Sequence, residues 1–155
     1  MTTTTLIWQS EQDTEAFAKR LALNPLLREA NIQLSGDLGA GKSTLARHML
    51  RALGVVGNIK SPTYAVVEEY LARSTLGPLK IWHFDFYRFN DPAEWLDAGF
   101  KDIFLSEGLK ISEWSEKAKG FIPEPDLHID IEILDGDKRQ ATIKIFSDKG
   151  QLLLN

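Results

Sequence analysis

Apolar and polar positions alternate with a changing period along this chain, and each change of period marks an element. Residues 5–8 (TLIW) form a short strand-like run after an opening MTTTT that is expected to fray. Ser10, three residues before Asp13, reads as a helix N-cap with an acidic first turn. The helix predicted over 11–23 draws its inner face from Ala16, Phe17, Leu21 and Ala22. Asn24-Pro25 ends it, because proline has no N–H to give and its ring clashes with the preceding turn. From Asn31 to Ser35 the period falls to two, Ile32 and Leu34 alternating with polar residues, and the run ends in glycines: a strand entering a tight loop. Over 42–53 the helical spacing returns, with Leu45, Met49 and Leu53 on one face and Gly54 where a C-terminal cap belongs.

The second half turns towards strands. Residues 65–72 and 79–86 are rich in β-branched and aromatic side chains and are separated by turn residues at 74–78, which predicts a hairpin. Asp91-Pro92 opens a predicted helix, aspartate as N-cap and proline at the first position, with Leu96, Phe100 and Phe104 inward and a break near Gly99. A short strand over 109–113 and a loop at Pro123 and Pro125 follow, then two strand-like runs, 127–134 and 141–146, around Asp135-Gly136-Asp137 as a C-terminal hairpin. No repeat or linker interrupts the chain, so residues 1–155 are expected to form a single α/β domain, a mixed sheet flanked by helices.

Composition narrows the function classes. A chain of 155 residues with 43% hydrophobic and 26% charged residues can close one core unaided. It has no cysteine, so disulfides, thiol catalysis and thiolate-bound zinc are excluded, and His48, His83 and His128 show no close metal-ligand spacing. A net charge of −4 disfavours autonomous binding to a nucleic-acid backbone. No apolar stretch approaches the ~20 residues that span a bilayer, and a cytoplasmic location is expected.

One motif carries chemistry. Gly36-Asp37-Leu38-Gly39-Ala40-Gly41-Lys42-Ser43, followed by Thr44, satisfies G-x-x-x-x-G-K-[ST] between a predicted strand and a predicted helix, the context a phosphate loop requires. Glycines let backbone N–H groups converge on phosphate oxygens, and the helix N-terminus adds the positive end of its dipole. Lys42 in a first helical turn opposes that dipole, a conflict that a bound phosphate removes. Ser43 is the candidate Mg²⁺ hydroxyl. The spacing is wrong for a dinucleotide fingerprint, and no Asn-Lys-x-Asp guanine reader occurs, so ATP is the favoured nucleotide.

Mg²⁺ on a phosphate loop needs a carboxylate from a neighbouring strand end. Asp85, in His83-Phe84-Asp85-Phe86-Tyr87-Arg88, is the candidate; the alternative is a structural carboxylate paired with Tyr87 or Arg88. Strand alternation puts His83, Asp85 and Tyr87 on one face and Trp82, Phe84 and Phe86 on the other. His83 reads equally as a hydrogen-bonded core residue and as part of a site. Glu113 closes the next strand and either orients water or completes a metal shell, or is a solvated glutamate at a helix start; Trp114 beside it could simply pack. Ser61-Pro62-Thr63-Tyr64 either brings Thr63 to the γ-phosphate on a mobile loop or is an extended X-Pro turn.

Taken together, GDLGAGKST, SPTY at 61–64, HFDFYR at 83–88 and EW at 113–114 resemble the TsaE (YjeE) family in order and approximate spacing over nearly the whole chain. The resemblance implies a P-loop ATPase of tRNA threonylcarbamoyladenosine (t6A) biosynthesis, weakly active alone, that works with TsaB and TsaD and meets tRNA only through them. Carried over by motif, Lys42 is the phosphate lysine, Ser43 the metal hydroxyl, Asp85 the metal-associated aspartate, Glu113 the functional glutamate and Thr63 the switch-loop threonine. Ser43 stands where the family usually has threonine, an equivalent hydroxyl, and Ser115 where proline is common. Two other readings of the residues stay open: a small-molecule kinase, for which an arginine-rich lid is missing, and a nucleotide-gated adaptor that hardly hydrolyses.

Overall fold

The computed structural model describes residues 2–155. The elements are, in order, β1 (Thr2–Trp8), α1 (Glu11–Ala22), β2 (Asn31–Ser35), α2 (Lys42–Ala52), β3 (Val67–Ser74), β4 (Gly77–Asp85), α3 (Glu94–Asp97), α4 (Phe100–Leu105), β5 (Leu109–Glu113), β6 (Leu127–Ile133), β7 (Arg139–Ile145) and α5 (Asp148–Leu153). The strands make one seven-stranded sheet in the order β1-β7-β6-β2-β5-β4-β3. Its centre is parallel (β6, β2, β5, β4) and both edges close antiparallel, β3 on β4 and β1 on β7. Among the described residues no helix is long and apolar enough to cross a membrane.

Burial follows the alternation. Ile32 and Leu34 of β2, Ile111 of β5 and Leu127 and Ile129 of β6 are fully buried on the face that α1 and α2 cover. From α2, Leu45, Ala46, Met49 and Leu50 are buried without remainder, each large side chain contributing about 1.5–3 kcal/mol. The helix then stops on a Schellman motif: Gly54 at φ +100°, with Val55 N–H donating to Leu50 O and Gly54 N–H to Arg51 O. A separate aromatic cluster, Trp82, Phe84, Phe86, Phe89, Trp95 and Phe100, packs under the opposite face of β4.

Several boundaries differ from expectation. The opening threonines do not fray, since Thr2 to Trp8 pair along the whole of β7. Ser10 makes no side-chain cap; Asp13 instead accepts from the N–H of Gln9, the residue before the N-cap, at 2.8 Å. Ala16 is exposed and Ala18 takes its place inside. Asp91 accepts from Ala93 N–H at 2.9 Å in the preceding turn but is not the helix N-cap, a place that Ala93 takes without a side-chain cap; the helix begins at Glu94, and Trp95 rather than Leu96 points inward. β3 begins at Val67, because Pro62 to Ala65 form a turn closed by Val66 N–H on Pro62 O. β4 ends at Asp85, before Phe86. The helix α5 is unforeseen: Ser147 caps it through Gly150 N–H, and Asn24 Nδ2 holds the Leu152 carbonyl at 2.9 Å.

Beyond the aromatic cluster the same sheet face is polar. Ser35 Oγ donates to Asp130 Oδ1 at 2.6 Å and lies 2.8 Å from His128 Nε2, while Ser115 Oγ donates to Gln33 Oε1 at 3.1 Å. A proline at position 115 could not make that bond. Burial lowers the His128 pKa and Lys144 adds to the effect, against Asp130 and Glu116. The unfolded chain then binds the proton more readily than the folded one, so stability is full above the ordinary histidine range near 6.5 and falls as pH drops through it. Thermal unfolding from pH 7.5 to 5.5 is expected to show a falling midpoint in the native chain and a flatter profile in His128→Gln.

Candidate functional site

The sheet register assembles the site. β2, β4 and β5 run parallel, so their carboxyl ends open on the same edge, where α/β sheets place ligands. Glu113 pairs with Leu34 on one side and Asp85 on the other, which sets both carboxylates at one height on the α2 face. The loop from Gly36 to Gly41 leaves β2 and turns into α2 directly above them. Gly36 has φ +138°, and a β-carbon there would collide with the Ile131 carbonyl; Gly41, at φ +115°, occupies the N-cap in a left-handed conformation. The amides of Lys42, Ser43 and Thr44 fall in the first helical turn, where no intrahelical acceptor exists.

Lys42 is 5% exposed. Its Nζ donates to the Gly36 carbonyl and sits 4.3 Å from the Trp114 ring centroid. An ammonium has three donors and no carboxylate pairs with it among the described residues, so this buried cation is set to receive an anion. Trp114 is held at φ +58°, a left-handed conformation costly for a bulky side chain, and its ring also meets Tyr87 edge-on at 5.0 Å. It both forms a wall of the site and packs against the aromatic cluster.

Of the predicted residues, Leu38, Gly39, Gly41, Lys42, Ser43, Thr44, Thr63, Asp85 and Glu113 line, with Trp114, one open cavity of about 300 Å³, and Gly36 does not. Ser43 Oγ is 3.4 and 3.5 Å from the two oxygens of Glu113, and Thr63 Oγ1 is 3.4 Å from Asp85 Oδ2. Asp85 Oδ1 accepts from Tyr87 N–H at 2.9 Å, and Arg88 lies over the Tyr64 ring at 4.2 Å instead of pairing with it. Burial raises the Asp85 pKa; the Tyr87 N–H lowers it, Glu113 raises it further, and His83 and Lys42 oppose. His83 is buried and contacts Glu113, whereas Tyr87, past the strand end, is half out in solvent. Ala40 is buried beneath the loop and Asp37 is exposed at its tip, both outside this cavity.

Among the described residues no three histidine, aspartate or glutamate side chains form a closed metal cage. The exposed hydroxyl of Ser43 with the buried carboxylates of Asp85 and Glu113 is a set of hard oxygen donors lining an open cavity, which fits Mg²⁺, a cation that keeps several waters and takes few protein ligands.

A second cavity, about 220 Å³, lies behind the loop and shares Gly39, Gly41 and Thr44 with the first. Ala40, predicted as part of the loop, lines it too, and Trp8, Glu11, Thr14, Ile131, Asp137 and Arg139, none of them foreseen from sequence, complete it. Arg139 Nε donates to Ala40 O at 2.9 Å, so the C-terminal hairpin braces the loop. No sequence signal joins residues 99 positions apart; the pairing of β2 with β6 and of β6 with β7 does.

A model of the family "Threonylcarbamoyl adenosine biosynthesis protein TsaE" matches residues 8–141. The tRNA threonylcarbamoyladenosine biosynthesis protein TsaE of Haemophilus influenzae is 46% identical over 124 residues, 80% of this chain and 75% of its own length. That of Bacillus subtilis is 30% identical over 142 residues, covering 92% and 85% respectively. The crystal structure of Bacillus subtilis YdiB superposes with a TM-score of 0.77 at 24% identity, over 99% of this chain and 94% of that one, and shares the fold. The phosphate loop, the two strand-end carboxylates and the extent of these matches together place the chain in the TsaE family of tRNA threonylcarbamoyladenosine biosynthesis.

Proposed function

We propose that the chain binds Mg-ATP and hydrolyses it as the ATPase of t6A biosynthesis, in the cytoplasm and together with TsaB and TsaD. The observation that carries this reading is the convergence of Lys42, Ser43, Thr63, Asp85 and Glu113 on one cavity at the carboxyl ends of three parallel strands. The phosphates fit against the loop amides with Lys42 compensating charge on the β and γ groups, and the nucleoside end fits the cavity formed by Trp8 and Arg139. Mg²⁺, when bound, supplies charge neutralisation at the phosphate oxygens. Ser43 and Asp85 hold it, and Thr63 reaches the same place from a turn already in contact with Asp85. Glu113 orients the attacking water or the metal's outer shell. Water is the acceptor: the described residues around the phosphate cavity include no arginine lid to enclose a second substrate, which argues against the kinase reading.

The net charge of −4 supports contact with tRNA through the partner proteins rather than directly. The test is phosphate release by the chain alone and after addition of TsaB and TsaD, with recovery of both on the tagged chain in ATP. Stimulated release with co-recovery is expected. Recovery in ATP without any release leaves the gated-adaptor reading in its place, and neither recovery nor release rejects the proposal.

A further inference from the structure

His83 is a buried polar side chain in the site that the chemistry above does not use. It is 2% exposed on β4, and its Nε2 lies 2.6 Å from Glu113 Oε2. Nδ1 is equally buried and meets no protein partner among the described residues. A histidine serving the core usually satisfies both ring nitrogens, because an unpaired buried polar atom is costly. Here the polar contact is directed at a single carboxylate oxygen. The register makes that contact diagonal: His83 pairs with Ile111, and Glu113 is the next residue on the same face of β5. A carboxylate offers only acceptors, so Nε2 carries the hydrogen and donates. The remaining polar contact of Glu113 is the Ser43 hydroxyl, at the edge of hydrogen-bond range.

We propose that His83 is a positioning residue, whose Nε2–H fixes the rotamer of Glu113 so that the carboxylate faces Ser43 and the phosphate cavity. This rests on the proposed role of Glu113 in turnover. Glutamate has three rotatable side-chain bonds, and a carboxylate free to turn would spend most of its time away from the reacting atoms. The short bond from a side chain held in the sheet removes that freedom, as hydrogen-bond partners behind other site carboxylates do.

Glutamine and asparagine separate positioning from packing. Glutamine carries its amide nitrogen about as far from the backbone as Nε2, whereas asparagine reaches only about as far as Nδ1. Full-length His83→Gln, His83→Asn and His83→Leu would be compared with wild type by calorimetric Mg-ATP affinity, thermal midpoint and single-turnover release of phosphate from prebound ATP. His83→Asn and His83→Leu are expected to lose about 10- to 100-fold in turnover with ATP affinity kept, and His83→Gln to recover most of it. Adding His83→Asn to Glu113→Ala is expected to cost nothing further, since the group being positioned is already gone. Full turnover in His83→Asn, or equal impairment of the asparagine and glutamine variants at native thermal midpoints, overturns the proposal. If Glu113→Ala itself turns over like wild type, the reading of Glu113 fails, and the positioning role with it. If Glu113→Ala is impaired and His83→Asn is not, only the positioning role fails.

Discussion

Lys42→Ala is expected to abolish measurable binding of Mg-ATP. The lysine is almost fully buried, donates to the Gly36 carbonyl and faces the Trp114 ring, so two of its three hydrogens await an anion. Removing one member of a buried, hydrogen-bonded charge pair costs about 3–5 kcal/mol. That corresponds to a dissociation constant weakened by about 100-fold or more. The fold should survive, because Lys42 leads α2 and an alanine there suits the helix at least as well. Calorimetry with Mg²⁺ present, beside a thermal unfolding curve, makes the measurement. Equal affinity in the two proteins would remove the phosphate-loop assignment.

Glu113→Ala is expected to leave ATP affinity nearly intact and to reduce turnover by about 100-fold or more, the scale on which positioned acid–base groups act. The split follows from geometry. Glu113 lies beneath Ser43 at 3.4 Å and beside Asp85, whereas the phosphate-holding groups belong to the loop and Lys42. The alanine variant also strands His83 Nε2 in the core, at a cost of about 1–3 kcal/mol in stability. Glu113→Gln keeps an oxygen acceptor for that nitrogen while discarding the charge, and it separates lost catalysis from a loosened core. Single-turnover phosphate release from prebound ATP reads the effect, and unchanged turnover in the complex with the partner proteins would make Glu113 structural.

Much of this molecule was legible from local pattern. The phosphate loop lies where the glycines and the flanking periods put it, and the C-terminal hairpin closes around Asp135 and Gly136 as turn chemistry requires. Asp85 and Glu113 were identifiable because each ends an apolar strand with a charge, a combination that burial makes costly without a purpose. The misreadings have equally local causes. Leu96 and Trp95 compete for one inward position on a helix of four residues, too short for its period to decide. The helix α5 has a legible cap in Ser147, but six residues carry too little amphipathic pattern to announce a helix that is held by Asn24 from another part of the chain. The opening threonines order only because β7 is there to pair with them.

By itself, the sequence determined the glycine loop, the helix behind it and the two carboxylates ending strands, because backbone freedom, dipole and burial cost act within a few residues. Only the tertiary structure decided what those groups face. Register placed Asp85 beside Glu113 and His83 diagonally behind it; the left-handed turn at Trp114 laid its ring near Lys42; the pairing of β2, β6 and β7 brought Arg139 to Ala40. Each of these contacts spans more than twenty residues of chain, and strand pairing, which no local preference encodes, is the force that fixes them.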